Sequence, residues 1–138
     1  MAVLRPHIGK AGSAAAAGAF LDYDNDGDLD LVVNNINTTA TLYRNNIDSS
    51  NFIKIKFEGE GANRFGVGTK VAVFGENKKI FYEQIPTRGW LSSVDYTMHI
   101  GLGSVQPDSI VIRWWDNKTQ TIKNPKTRQT IVARQADA

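Results

Sequence analysis

Cysteine is absent from the 138 residues of this chain, which excludes disulfides, thiolate metal sites and a cysteine nucleophile. Histidine is scarce. His7 and His99 stand far apart in sequence, and neither reads as a metal ligand. No apolar run reaches the roughly 18 residues that a membrane-spanning helix needs. Neither sign of charge dominates, with 16 basic and 14 acidic side chains and a formal net charge of +2. The lysines and arginines form no stripe, and Lys78-Lys79 is the one adjacent basic pair, so charge gives no basis for nucleic-acid binding. The rest is ordinary for a folded protein. Hydrophobic residues make up 41% of the chain, which argues against disorder. The length suits one domain, or one small domain with a fragment of another.

Against that background one segment stands out: Asp22-Tyr23-Asp24-Asn25-Asp26-Gly27-Asp28-Leu29-Asp30. Aspartates occupy alternate positions, and a glycine sits sixth. A hard dication prefers oxygen ligands, and alternate carboxylates in a tight loop converge on one point. By analogy with EF-hand loops, Asp22, Asp24 and Asp26 are expected to bind Ca2+ through their side chains. Asp28 offers its backbone carbonyl, and Asp30 a carboxylate or a water-bridged contact. Gly27 allows the sharp turn that a Cβ would resist. The competing reading is an acidic surface turn, since Asp, Asn and Gly favour turns without any metal. An EF-hand would carry a glutamate at its twelfth position, which here is Val33. Leu29–Val33 is apolar and β-branched, so a strand follows the loop where an EF-hand has a helix.

Nearly every other apolar segment also reads as strand. Phe52–Glu58 alternates, with Ile53, Ile55 and Phe57 on one face and Lys54, Lys56 and Glu58 on the other, as in a half-exposed antiparallel strand. Val67–Phe74 and Lys79–Ile85 flank Gly75-Glu76-Asn77-Lys78, a hairpin signal. Further strands are expected at Leu29–Asn34, Thr41–Arg44, Thr97–Leu102, Ser109–Trp115, Thr119–Lys123 and Gln129–Ala133. Only the alanine run at Ala14–Ala17 offers a helical start. The pattern predicts an all-β fold, an antiparallel sandwich or partial barrel, preceded by one calcium hairpin. Residues 1–17 read as linker, tag or frayed end, 18–46 as the calcium repeat, 52–134 as a β domain and 135–138 as a tail. A boundary falls in the polar stretch Asn45–Asn51. One hairpin cannot bury its apolar face alone. It must pack on the second part, on another chain or on further repeats.

The stretch Gly18–Asn35, followed by Leu42-Tyr43-Arg44-Asn45-Asn46, resembles one FG-GAP (VCBS-type) repeat. Such repeats form blades of β-propellers, as in integrin α-chain heads. The remainder resembles the ASPIC/UnbV domain, which follows such repeats in bacterial surface proteins and in cartilage acidic protein. Four segments carry that likeness: Asn63–Val71, Arg88–Ser93, His99–Gly103 and Ile110–Gln120. The chain departs from the family pattern at Trp115-Asp116-Asn117, where Trp-Pro-Asp-Gly is usual. It also holds one repeat where a propeller needs several. The resemblance therefore implies either the C-terminal piece of a longer secreted or cell-surface protein, with upstream propeller repeats as its neighbours, or an unusual short protein that completes its sheet another way. Residues 11–21 follow Arg5 and Lys10 as a leader would, but they lack a leucine-rich core.

Other signals are weaker. Gly66-Val67-Gly68 and Gly101-Leu102-Gly103 lack the following helix that a phosphate cradle needs, and read as bulges or close backbone approaches. Ser92, Ser93, Asp95 and His99 include triad residue types but no nucleophile elbow. Glu58 and Glu83 have no evident carboxylate partner for glycoside hydrolysis. No catalytic residue is assigned. Of Trp114 and Trp115, strand alternation turns one inward and one outward, and the outward ring could stack on a sugar or a partner protein. Trp90 in its glycine-flanked loop is a second possible ligand contact. Asn37-Thr38-Thr39 and Asn117-Lys118-Thr119 fit a glycosylation sequon that is common by chance. The expected function is non-enzymatic: a calcium-stabilised module whose partner is an extracellular protein or a glycan. The alternatives are a polysaccharide-active enzyme domain and a calcium-dependent carbohydrate-binding module.

Overall fold

The computed structural model describes residues 5–8, 15–46, 51–87 and 93–138, with backbone alone for 5–8 and 15–17. It is all-β. Among the described residues there is no α-helix, and a 3-10 turn spans Gln135–Asp137. The chain divides into two compact units, Met1–Ser50 and Asn51–Ala138.

The first unit holds β1 (Arg5–Ile8), β2 (Ala15–Leu21), β3 (Asp30–Asn35) and β4 (Thr41–Arg44). They form one antiparallel sheet in the order β1-β4-β3-β2. Two of these strands lie in or reach into the stretch expected as linker. The alanine run does not start a helix. Ala15–Leu21 pairs along β3, with a bulge between Ala15 and Ala17. A short alanine segment cannot meet the cost of helix nucleation alone, whereas β3 offers a ready row of hydrogen-bond partners. The β3–β4 turn is tied by Asn35, whose Nδ2 donates to Thr39 O at 2.8 Å and to Thr41 Oγ1 at 2.9 Å. Asn37 in that turn has a φ of 58°, a left-handed conformation that asparagine tolerates better than most residues.

The second unit is a sandwich of two open sheets. One comprises β6 (Lys70–Gly75), β7 (Lys78–Glu83), β9 (Ser109–Arg113) and β10 (Thr119–Lys123), in the order β10-β9-β6-β7 and fully antiparallel. The other comprises β5 (Asn51–Glu58), β8 (Met98–Gly103) and β11 (Gln129–Arg134), in the order β11-β5-β8. Here β5 pairs antiparallel with β8 but parallel with β11. Alternation governs burial as the sequence predicts. Ile53, Ile55 and Phe57 face the core, and Lys56 and Glu58 face water. Ile53, Ile55, Val71, Ile100, Ile110 and Ile112 are fully buried and, with Trp114 and Ala133, belong to one apolar cluster fed by both sheets. Each such side chain contributes about 1.5–3 kcal/mol on burial.

Three strands start or stop at least two residues short of expectation, and one of them is β7, which ends at Glu83 and not at Ile85. β6 begins at Lys70, not Val67, because the preceding residues form a turn. Gly66 and Gly68 have φ of 60° and 83°. Asn63 closes that turn, accepting from Val67 N at 2.9 Å and donating to Val67 O at 2.9 Å. A Cβ on Gly66 would lie 2.8 Å from Phe57 Cβ, so the glycine also lets the turn press onto the core. β9 ends at Arg113, not Trp115. Trp114 N donates to Lys118 O and Asn117 N to Trp114 O, which starts the hairpin early. Asn117 has a φ of 71°, the conformation a glycine supplies at this point of a turn. Opposite Gly101–Gly103, the β5–β8 register shifts between Asn51 and Phe52, as expected of a bulge.

Candidate functional site

The acidic loop joins β2, an edge strand of the first unit's sheet, to β3. Its carboxylates are held by its own backbone. Asp22 Oδ2 accepts from Gly27 N at 3.1 Å, Asp24 Oδ1 from Asp26 N at 3.3 Å, and Asp26 Oδ1 from Asp28 N at 3.1 Å. The last two are the aspartate-to-backbone bonds, two residues on, that shape Asx turns; the first closes the loop across five residues. Asn25 and Gly27 take φ of 61° and 98°, so the glycine sits where positive φ is required. Gly27 itself is buried.

Asp30 anchors the loop. It opens β3 and is fully buried. Its two oxygens accept from different segments: Oδ2 from Tyr23 N at 2.9 Å, and Oδ1 from Asn45 N at 2.8 Å. One carboxylate thus ties the loop to the residue that follows β4. A buried carboxylate without such donors would be costly.

Of the five aspartates expected as ligands, Asp22, Asp24 and Asp30 each place one carboxylate oxygen within 4.8 Å of the others. Asp26 and Asp28 stand outside that group. Asp26 instead turns an oxygen toward Arg44, with Oδ2 3.5 Å from Nη2. Arg44 Nε lies 2.6 Å from Asp24 Oδ2, so the arginine supplies positive charge at the edge of the cluster. Three convergent oxygen donors fit a hard divalent ion such as Ca2+, which takes carboxylate and carbonyl oxygens, while Arg44 already neutralises part of their charge and would have to yield Asp24 Oδ2 to an ion bound there. Nitrogen and sulfur donors are absent from the group, which argues against a softer metal. Arg44 and Asn45 belong to the repeat-like motif noted in the sequence, but the sequence gives no sign that they touch the acidic loop. They follow the loop by fifteen positions or so, and only pairing of β4 with β3 brings them beside it.

The remaining expectations fall as follows. Trp114 is buried and Trp115 is half-exposed, so the pair does split inward and outward. Trp114 Nε1 donates to Gln120 Oε1 at 3.0 Å, and its ring meets Phe57 edge-on. Trp90 and Ser92 lie outside the described residues. His99 stacks on Phe52 with ring centroids 5.6 Å apart. Glu58 pairs with Arg134 at 2.8 Å on the exposed surface. A cleft of about 330 Å³ runs beside Trp115 and Asp116, and none of Glu83, Asp95 or His99 lines it. No helix among the described residues is long and apolar enough to cross a membrane.

Compared with known proteins, residues 59–138 match the family described as ASPIC and UnbV. No curated protein matches the chain.

Proposed function

The chain belongs to the ASPIC and UnbV family, and from that premise we propose that it is a non-enzymatic, calcium-binding β module of an exported or cell-surface protein. Its first unit is read as a single FG-GAP-type repeat. The parent protein's upstream propeller repeats are its natural neighbours, and an extracellular protein or a glycan is its partner. The module serves adhesion, ligand binding or structural support.

The observation that carries this reading is the convergence of Asp22, Asp24 and Asp30 within 4.8 Å, with Asp30 buried and braced by two backbone donors. Asp22 and Asp24 would hold the ion from the loop, and Asp30 from the start of β3. The bound ion supplies charge compensation and cross-linking, not reaction chemistry. An ion that binds only the folded loop stabilises it by mass action, by about 2.7 kcal/mol when calcium stands at 100 times its dissociation constant. An affinity between about micromolar and millimolar suits an extracellular module.

Scanning calorimetry of the full chain tests the idea. Calcium is expected to raise a transition assigned to the first unit, and EDTA to reverse the shift. Asp24→Ala is expected to abolish the response. A thermogram indifferent to calcium would defeat the proposal.

A further inference from the structure

We propose that the cleft beside Trp115 binds a neutral sugar ring. This goes beyond the calcium reading and does not depend on it, because every residue lining the cleft belongs to the second unit.

The cleft is built from the β9–β10 turn, the loop after β5 and the end of β11. Trp115 and Asp116 come from the turn, Glu60–Asn63 from the loop, and Gln135 from the residue after β11. Gln135 is 1% exposed and joins the other two elements. Its Oε1 accepts from Glu60 N at 2.7 Å, and its Nε2 donates to Asp116 Oδ2 at 2.9 Å. Asp116 Oδ1 accepts from Lys118 N at 3.1 Å. The loop is further fixed by Gly59 N donating to Arg64 O and by the side chain of Asn63 closing on Val67. Gly61 has a φ of 61°, and the space where its Cβ would stand is open. The walls are thus set before any ligand arrives, which lowers the ordering cost of binding.

What they present is a half-exposed indole beside hydrogen-bonding groups. Trp115 is 50% exposed, although a buried position for it would be favourable by its size. Glu60 and Asp116 supply carboxylate oxygens, and Lys118, outside the lining, holds its Nζ 3.5 Å from Glu60 Oε2. A pyranose has matching chemistry. Its C–H face removes the indole from water, and its hydroxyls form charge-assisted bonds to the carboxylates. Lys118 offsets the charge of Glu60, which favours a neutral ligand over a cationic one. The volume of about 330 Å³ lies at the small end of ligand sites, suited to one or two rings.

The test is a titration of the full chain, followed by 1H–15N NMR. The probes are neutral tetrasaccharides of glucose, xylose, galactose and N-acetylglucosamine, each taken to about 10 mM to reach weak affinities. At least one is expected to move the Trp115 indole, the Asp116 amide and the Gln135 side-chain amide, with or without EDTA. Trp115→Ala is expected to weaken that sugar at least about tenfold, the scale of one lost aromatic contact, while Trp115→Tyr retains most of the binding. The proposal is overturned if no sugar moves these signals, if Trp115→Ala binds as well as the parent, or if EDTA abolishes binding. It is equally overturned if an oligolysine peptide moves the same signals and the sugars do not.

Discussion

In the second unit the groups withdrawn from water are Ile53, Ile55, Val71, Ile100, Ile110, Ile112 and Trp114. In the first, the described residues withdrawn from water include Asp30, Asn35 and Thr41, with Leu42 as the buried apolar side chain. Among the described residues of the first unit several large apolar groups lie open, with Phe20 62% and Ile36 52% exposed and Tyr23 and Leu29 likewise on the surface, while Leu31 and Tyr43 are half-buried. The difference is one of physical origin. The sandwich is held by area removed from water, a non-directional force that scales with buried carbon. The four-stranded sheet of the first unit is held at its acidic loop by directional bonds to a few oxygens. Directional bonds define a shape well but add little net stability each, about 1 kcal/mol for a neutral pair and more for a charged one. A unit of that kind would be stabilised by the ion proposed at its loop and by any neighbour that covered its exposed apolar groups.

The contrast can be broken from either side. Ile55→Ala should have the largest effect, about 4 kcal/mol lost from the second unit through transfer and cavity costs, read from the urea midpoint. A loss below about 1 kcal/mol would mean that the sandwich can collapse around the gap and that its core is less specific than described. Asp30→Ala should come next. It leaves Tyr23 N and Asn45 N without their acceptor and costs about 3 kcal/mol in the first unit alone. Hydrogen exchange checks this: both amides should lose protection while the Ile55 amide keeps it. Equal loss in both units would contradict the separation drawn above. Arg134→Ala should have the smallest effect, below about 0.5 kcal/mol, because its partner Glu58 is solvent-exposed and such pairs contribute little. A double-mutant cycle with Glu58→Ala measures the pair directly, and a coupling above about 1 kcal/mol would show that charge matters in the sandwich as well.

The same contrast explains how much could be read from the sequence. Period-two alternation in Phe52–Glu58 reports on one strand and its two faces, and it placed Ile53, Ile55 and Phe57 correctly in the core. The hairpin signals at Glu76-Asn77 and Asp116-Asn117-Lys118 hold because positive φ at Asn77 and Asn117 is local chemistry. Partner choice is not local. Nothing in Gln129–Ala133 announces a parallel neighbour, and the antiparallel pattern expected for the sandwich has one exception there. The start of β6 was misplaced because Val67 looks like strand when read alone, while Asn63 and the two glycines around it hold it in a turn. The acidic loop was visible because its spacing is short-range. The bracing of Asp30 by Asn45 was not, since it depends on β4 returning beside β3. Gln135 gave no signal at all. It lies in what reads as a tail, and its role rests on reaching residues from two distant turns.

The parallel pairing of β5 with β11 has a consequence for how the molecule comes into being. Glu58 and Arg134 sit opposite each other although they are 76 positions apart in the chain, so the first ribbon of the sandwich waits for the last. On a ribosome, that edge of the sheet stays bare until nearly the whole unit has emerged, and joins of such long span form slowly. During that interval β5 offers an unpaired margin rich in isoleucine to any passing chain. Its outward lysines, Lys54 and Lys56, serve as gatekeepers against misassembly at the stage when protection is most needed.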